Sequence, residues 1–429
     1  LQKQSIENIT TQDGLLSNAC LRAFQDYSGN LWVGMQNGIA LIDINSPMRF
    51  INQEIKIQGS GYEAYTREEG TYYTTSNGIY FLAKNAVQSV FLDGTEGPAY
   101  GMQNIAGKLY AGHHTGLFLL AGGGAAKRIA HTHGLWQVKQ LQSNPEFAIG
   151  GTYSGLYLFR FNEKRELQGV GKISGFEESS RFFEEDREGK IWVGQFYKGL
   201  YQLSLSPGLT AAAVNKMSVG QGLPANEQLI LSRIDNELYL GTPKGVYKID
   251  QVNNRIVKSE TFSKVIGEQQ VYLLVQDNQK NVHVYTEDIA GFFKQISAGN
   301  YTFVPSSLFQ LRYSFNNDLL NISVNMGDGV LFNANEGFIQ YKPELENRLA
   351  AEKPLIVSKV VNVAEDSILY ARKPFEVNPE NPAQLTVSYR AKVLQFEVEA
   401  FQFNEVNNQQ FRYYLKGFDE GYGEWTHAT

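Results

Sequence analysis

Cysteine is almost absent from this chain: Cys20 is the single example in 429 residues, so no internal disulfide can form and redox chemistry assigns no compartment. Beside Leu21 and Ala23, Cys20 reads as a small buried apolar residue. No apolar run approaches the roughly 20 residues that a membrane-spanning helix needs. The N-terminal Leu-Gln-Lys-Gln-Ser-Ile lacks the charged start and apolar middle of a signal peptide. The chain therefore reads as a soluble protein or an excised ectodomain. Its net charge is −6 and no Lys/Arg cluster stands out, so no nucleic-acid contact is expected from this segment. Methionine is scarce, 5 residues against 24 Tyr and 26 Phe, and apolar residues at helical spacing over three turns are hard to find, which favours packed sheets over helix bundles.

What the chain has instead is a repeat. Eight times an extended segment ends in a small residue, crosses a tight turn to a glycine and leaves as a second extended segment. The two fullest copies share one spacing: Asp26, Gly29, Leu31, Trp32, Val33, Gly34, Gly38, and Asp186, Gly189, Ile191, Trp192, Val193, Gly194, Gly199. The closing glycines, at 38, 78, 116, 155, 199, 245, 291 and 337, lie 38 to 46 residues apart, the period of a four-stranded propeller blade. The spacing predicts an all-β fold built of propeller blades. Trp32 and Trp192 are expected to fill space between neighbouring blades.

The pattern stops near Tyr341-Lys342-Pro343. Beyond a charged stretch comes a strand with clean alternation, Leu394, Phe396, Val398 and Ala400 against Gln395, Glu397 and Glu399, and then Phe411 to Asp419 and Trp425. An immunoglobulin-like β-sandwich explains this better than another blade, and it is incomplete, because about five strands fall short of the seven that close such a domain.

The Asp-x-x-Gly-x-Leu-Trp-Val-Gly repeats, preceded in the first copy by Gly14-Leu15-Leu16-Ser17-Asn18, resemble the two-component regulator propeller repeats of bacterial membrane sensors. Tyr413 or Tyr414, Leu415, Gly417, Asp419 and Trp425 resemble the start of the triple-tyrosine domain that follows those propellers, with a longer spacer before the Trp. The stretch Gly38 to Pro47 resembles the junction that opens the last propeller in one branch of that family. This likeness implies residues 1–44 as the end of a preceding propeller, 45–345 as one seven-bladed β-propeller, with an eight-bladed ring as the alternative, and 346–429 as part of a triple-tyrosine domain. It further implies the periplasmic part of an inner-membrane protein, joined to the membrane only by a helix beyond this segment. The expected role is a sensor that binds a small-molecule or oligosaccharide ligand, self-associates through the C-terminal β-domain, and drives a histidine kinase or a helix-turn-helix output.

Few residues suggest chemistry. The histidines, His113, His114, His131, His133, His283 and His427, form no His-Glu-x-x-His, so neither metal nor cofactor is expected. His131 and His133 read as solvated surface, as do the charge runs Glu177-Glu178 and Glu184-Glu185-Asp186. Asp277 to Asn281 lacks the glycine and terminal Glu of a calcium loop. The segments Leu21 to Phe24 and Leu229 to Leu231, read as inner strands, are mostly apolar, whereas a propeller lyase or glycoside hydrolase needs convergent titratable groups at the hub; no catalytic residue is assigned. The turns between second and third strands all emerge on one face of a propeller. There, aromatic, amide and hydroxyl groups suit a sugar ring, which makes His113, His114, Tyr153, Gln195 and Tyr197 the candidate ligand-binding residues. A propeller enzyme and a ligand-free interaction scaffold are the alternative readings.

Overall fold

The computed structural model describes residues 9 to 426 except 12–13, 27–28, 45, 307, 309–310, 327–328, 344, 346–354, 373–384, 389–392, 401–410, 418 and 424–425. Contacts divide the chain into two compact units, Leu1–Phe24 with Leu31–Glu346, and Gln25–Asn30 with Asn347–Thr429.

The first unit contains seven four-stranded antiparallel sheets. Six are built from consecutive strands, within 61–91, 99–131, 135–173, 182–216, 230–258 and 271–305, and are here called blades one to six. Blade seven is different. Its first three strands lie within 322–341, and its fourth comes from the other end of the unit: Met48–Ile51 pairs with Phe338–Tyr341, Met48 opposite Tyr341 and Ile51 opposite Phe338. Gly337, at φ +68°, makes the turn before this closure, and a Cβ there would meet the Ile51 carbonyl oxygen at 2.0 Å.

Strand alternation explains why the blades need one another. Successive side chains point to opposite faces of a strand, so Ile191 and Val193 join the core shared by blades three and four, while Trp192 between them joins the core shared with blade five. The same division gives a core for every neighbouring pair: one with two, two with three, five with six and six with seven. A last cluster, Ala64, Tyr73 and Tyr80 with Leu331 and Phe338, joins blade seven back to blade one. A short helix, α1 (Glu260–Ile266), adds Phe262 and Ile266 to the core of blades five and six.

The Asp-x-x-Gly turn has a physical reason beyond its glycine. In blade four the Asp186 Oδ1 accepts the backbone N–H groups of Glu188 and Lys190, both at 2.9 Å, and Oδ2 accepts the indole N–H of Trp192 at 2.8 Å. The carboxylate thus stitches the turn to the aromatic residue six positions on. Blade six carries the same device in altered residues. Asp277 Oδ1 accepts from Gln279 and Asn281, Oδ2 lies 2.9 Å from His283 Nε2, and Lys280 takes the glycine's place at φ +69°. Burial alone would raise the Asp277 carboxyl; hydrogen bonds from His283 and Asn281 hold it below the usual carboxylate range. The stretch lacking a calcium-loop signature is therefore a worn copy of the repeat's turn.

The first repeat forms a three-stranded sheet of β1 (Cys20–Gln25), β2 (Leu31–Met35) and β3 (Gly38–Ile42), with a small core of its own from Leu15, Val33 and Met35. Cys20 is exposed, as is every residue of β1, so the reading of Cys20 as buried is corrected. The sheet's core lies on the other two strands and the preceding loop. Leu21 to Phe24 does not reach the hub. Trp32 is only half-buried, unlike Trp192.

In the second unit three strands, Leu355–Asn362, Ser367–Ala371 and Leu394–Ala400, form one sheet with Leu355–Asn362 central. Leu394 and Val398 are half-buried, but Phe396 is 52% exposed; among the described residues no second sheet covers that face. Leu415 and Asp419 exchange hydrogen bonds, side chain at 2.7 Å and backbone at 2.9 Å, across a turn in which Gly417 has φ +88°. Trp425 lies outside the described residues.

Trp192 is fully buried and hydrogen-bonded. Replacing it with alanine is expected to cost about 3–5 kcal/mol, and Trp32→Ala much less. Urea denaturation of the two variants checks this; equal midpoints would contradict the packing.

Candidate functional site

The first strands of the blades face one another around the axis. Together they line a cavity of about 280 Å³ that draws residues from all seven blades. In blades one, two, three and six the start of this strand pairs with the residue that ends the second strand, as Gly61 does with Thr75 and Leu135 with Thr152, and in blades four, five and seven with the residue just before it. The strand starts therefore sit at the same end as the turns where the sequence places a ligand.

One side of the cavity is ionic. Glu184 accepts Lys139 Nζ at 2.5 Å and Arg233 Nε at 3.0 Å, so a single carboxylate serves two cations from neighbouring blades. Burial pushes Glu184 up, and the two cations outweigh it and keep the carboxyl below its ordinary range. Glu63 has a weaker set of partners. Its Oε2 accepts the Met102 backbone N–H at 2.9 Å, and burial, only partly offset by that bond and by Lys139, pushes its carboxyl up to about 7.

The other side is aromatic. Tyr100 packs 5.3 Å from Tyr62 and 4.5 Å from Trp136, ring centre to ring centre, and Tyr153 reaches in from its turn to lie 5.0 Å from Trp136. The hydroxyls of Tyr100 and Tyr153 share a short hydrogen bond, which with burial raises the Tyr100 hydroxyl well above an ordinary phenol. Trp136 Nε1 donates to Ser179 Oγ at 3.1 Å, fixing the indole plane. Beside these rings stands Arg181, half-buried, donating to the Leu320 carbonyl at 3.0 Å and lying 4.7 Å over the Phe182 ring. Burial lowers its guanidinium to about 10.

The five sequence candidates separate. Tyr153 packs against Tyr100 and Trp136 of the aromatic wall without lining the cavity itself, with the exposed His133 edge-on to it at 5.7 Å. His114 packs against His113, ring centres 4.4 Å apart and planes tilted by 44°, and accepts the Gly134 N–H on its backbone carbonyl. His113 is buried. Its Nδ1 lies 2.8 Å from Thr115 Oγ1 and its Nε2 3.3 Å from the Thr95 carbonyl, and burial holds it near 4, so it is a neutral group bracing the turn. Gln195 accepts the Tyr197 N–H at 2.6 Å, and Tyr197, 75% exposed, lines a separate surface groove with Lys198, Lys216 and Asn226.

The run Glu184-Glu185-Asp186 is buried, not a solvated face. Glu184 serves the hub, Glu185 accepts the backbone N–H groups of Gln142 and Ser143 from blade three, and Asp186 builds the turn. Glu177 and Glu178 are surface groups paired to Lys172 and Lys198. Nor are the inner strands mostly apolar: Glu63, Lys139, Glu184 and Arg233 all project to the axis from first strands, and Arg181 from just before one. The signal for them is positional, a charged residue on the first strand of blades one, three, four and five. No group of residues that could hold a metal ion is found among the described residues.

Comparison with known proteins agrees with this architecture. No family model and no curated protein matches the sequence. Among solved structures, the fold is similar to the extracellular domain assigned to the hybrid two component system BT3049 from B. thetaiotaomicron, with a TM-score of 0.65 at 14% identity over 97% of this chain and 57% of that one. It is also similar to the extracellular domain assigned to the one component system BT4673 of the same organism, with a TM-score of 0.53 at 15% identity over 96% of this chain and 58% of that one. The chain spans less than two thirds of either structure. These likenesses accord with the resemblance to regulator propeller repeats. No helix among the described residues is long and apolar enough to cross a membrane.

Glu63 supplies a pH test. Its folded-state value, about 7, lies above its ordinary 4.5, so the folded state holds this proton more tightly than the unfolded chain. The stability it contributes is complete below about 4.5 and is lost as pH rises through about 7. The melting temperature of Glu63→Gln should therefore gain on that of the parent steadily across that window; a constant difference would show a carboxyl in ordinary contact with water.

Proposed function

We propose that this chain is the ligand-binding part of an extracytoplasmic sensor, in which the hub cavity takes a small ring-bearing ligand such as a sugar, and the second unit passes the signal on. The observation that carries the reading is the cavity itself: an aromatic wall of Tyr62, Tyr100 and Trp136 facing charged and amide groups, in a scaffold closed on itself. Concave sites with apolar walls and a few convergent polar groups are where small ligands bind. The likeness to extracellular domains of signalling systems supports the cellular setting, the periplasmic side of an inner membrane. Output would follow through a membrane helix and a cytoplasmic kinase or helix-turn-helix domain, with self-association through residues 346–429 as the switch. A coupling of about 1–3 kcal/mol between ligand and pairing suffices.

A catalytic reading, lyase or glycoside hydrolase, rests on Glu63, whose raised pKa suits a general acid. It lacks a second free group, because Glu184 is committed to Lys139 and Arg233. We therefore read the hub as binding without turnover.

A thermal-shift screen of mono- and disaccharides on the intact chain tests the proposal. At least one compound should raise the melting temperature, and Trp136→Ala should weaken its affinity about tenfold or more, ~1.4 kcal/mol. If every hit binds Trp136→Ala as well as the parent, the hub is not the site; release of products from an oligosaccharide would favour the enzyme.

A further inference from the structure

The hub is electropositive although the chain is acidic. Lys139, Arg181 and Arg233 line it, three cations, against Glu184 and a Glu63 whose carboxyl is partly protonated near neutrality. The chain as a whole carries −6. A concave cavity of low dielectric concentrates such a local field.

Lys139 and Arg233 share Glu184, but Arg181 has no counter-ion among the described residues. Its guanidinium makes one hydrogen bond, to the neutral Leu320 carbonyl, and rests on the Phe182 ring. The groups that act on it electrostatically are Tyr62 and Tyr100, both uncharged at neutral pH. A desolvated cation without a partner is costly, and Arg181 bears that cost at a cavity wall where a guest can reach it. Most of its five N–H donors remain open, in the fork geometry that matches a carboxylate. The Tyr62 hydroxyl nearby makes no hydrogen bond to the described residues and is a further donor.

Resting on the reading of the hub as the ligand site, we infer that Arg181 is its anion-binding group and that the ligand is a single-ring compound bearing one carboxylate, its acid group on Arg181 and its ring against Tyr100 and Trp136. Size sets the ring count. The cavity of about 280 Å³ lies at the low end of small-molecule sites, which run from about 300 to 1,000 Å³, so it suits one ring and not an extended chain.

A sugar acid and an aromatic acid share this chemistry, and titration calorimetry on the intact chain at low salt separates them. D-glucuronate is compared with D-glucose, and benzoate with benzamide. At least one acid should bind about tenfold or more tightly than its uncharged counterpart. Arg181→Gln should erase that preference and Arg181→Lys restore part of it, while the ligand-free Arg181→Gln protein melts no lower than the parent because it loses an uncompensated charge. Equal binding of acid and counterpart, a preference that survives in Arg181→Gln, or no binding of either acid at millimolar concentration would overturn the assignment. So would an Arg181→Gln chain that no longer folds, since Arg181 would then be a structural strut. Binding of the neutral compounds alone, lost in Trp136→Ala, would end the anion site and leave the hub reading standing; binding unaffected by Trp136→Ala would end the hub reading itself.

Discussion

A four-stranded sheet with apolar residues on both faces cannot hide either face by itself, and the rest of this molecule follows from that constraint. Alternation along each second strand sends neighbouring side chains to different blades, as with Ile191, Trp192 and Val193. Each core is thus half owned by the blade before it and half by the blade after it. Such a chain of dependencies ends only when the last blade meets the first, which the cluster of Tyr73, Tyr80, Leu331 and Phe338 accomplishes. The strand Met48–Ile51 reinforces the joint, since blade seven takes its outer strand from the opposite end of the unit. Closure also removes open sheet edges that could recruit other chains.

The hub is the by-product of closure. Seven first strands brought to one axis converge side chains that lie far apart in sequence, and convergence in a confined space makes their chemistry depart from that of isolated residues. Glu184, between Lys139 and Arg233, stays ionised in spite of burial, whereas Glu63, with one backbone donor, does not hold its charge as firmly. Both are glutamates on first strands; two cations bonded to Glu184, against a neutral backbone N–H on Glu63, decide the difference. The aromatic wall is equally a product of several blades, Tyr62 from one, Tyr100 from two and Trp136 from three, with Tyr153 packed on the last two. Tyr62, Glu63, Tyr100, Trp136, Lys139, Glu184 and Arg233 stand on paired strands rather than on free loops, so the sheets themselves organise this part of the hub.

Much of this was legible in the residues. The glycine period indicates blades, and the Asp-x-x-Gly-x-x-Trp spacing is readable because the carboxylate, the turn and the indole interact within seven residues. The Asp277 turn escaped notice since Lys280 replaces the glycine and His283 the tryptophan, which preserves the hydrogen bonds and changes the letters. The closing strand was illegible for a different reason: Met48-Arg49-Phe50-Ile51 carries no repeat signature, and its partner lies about 290 residues away. The hub charges share that difficulty. Glu184-Glu185-Asp186 looks like a solvated run, and only the ring shows that its members serve a cavity, a neighbouring blade and a turn. Tyr153, which packs on the hub's rings, was found through its turn, while the proposed ligand residues Tyr100, Trp136 and Arg181 sit where no local motif points.

The claim on which the functional account stands is that the axis of the propeller, and not its turn-bearing face, receives the ligand. A crystal structure of the intact chain grown with the small molecule that stabilises it most would decide this directly. The account predicts ligand density on the axis, between the Trp136 indole and the Arg181 guanidinium, with the ring of blades unchanged around it. Density in the groove beside Tyr197 and Lys216, with the axis holding only solvent, would contradict it.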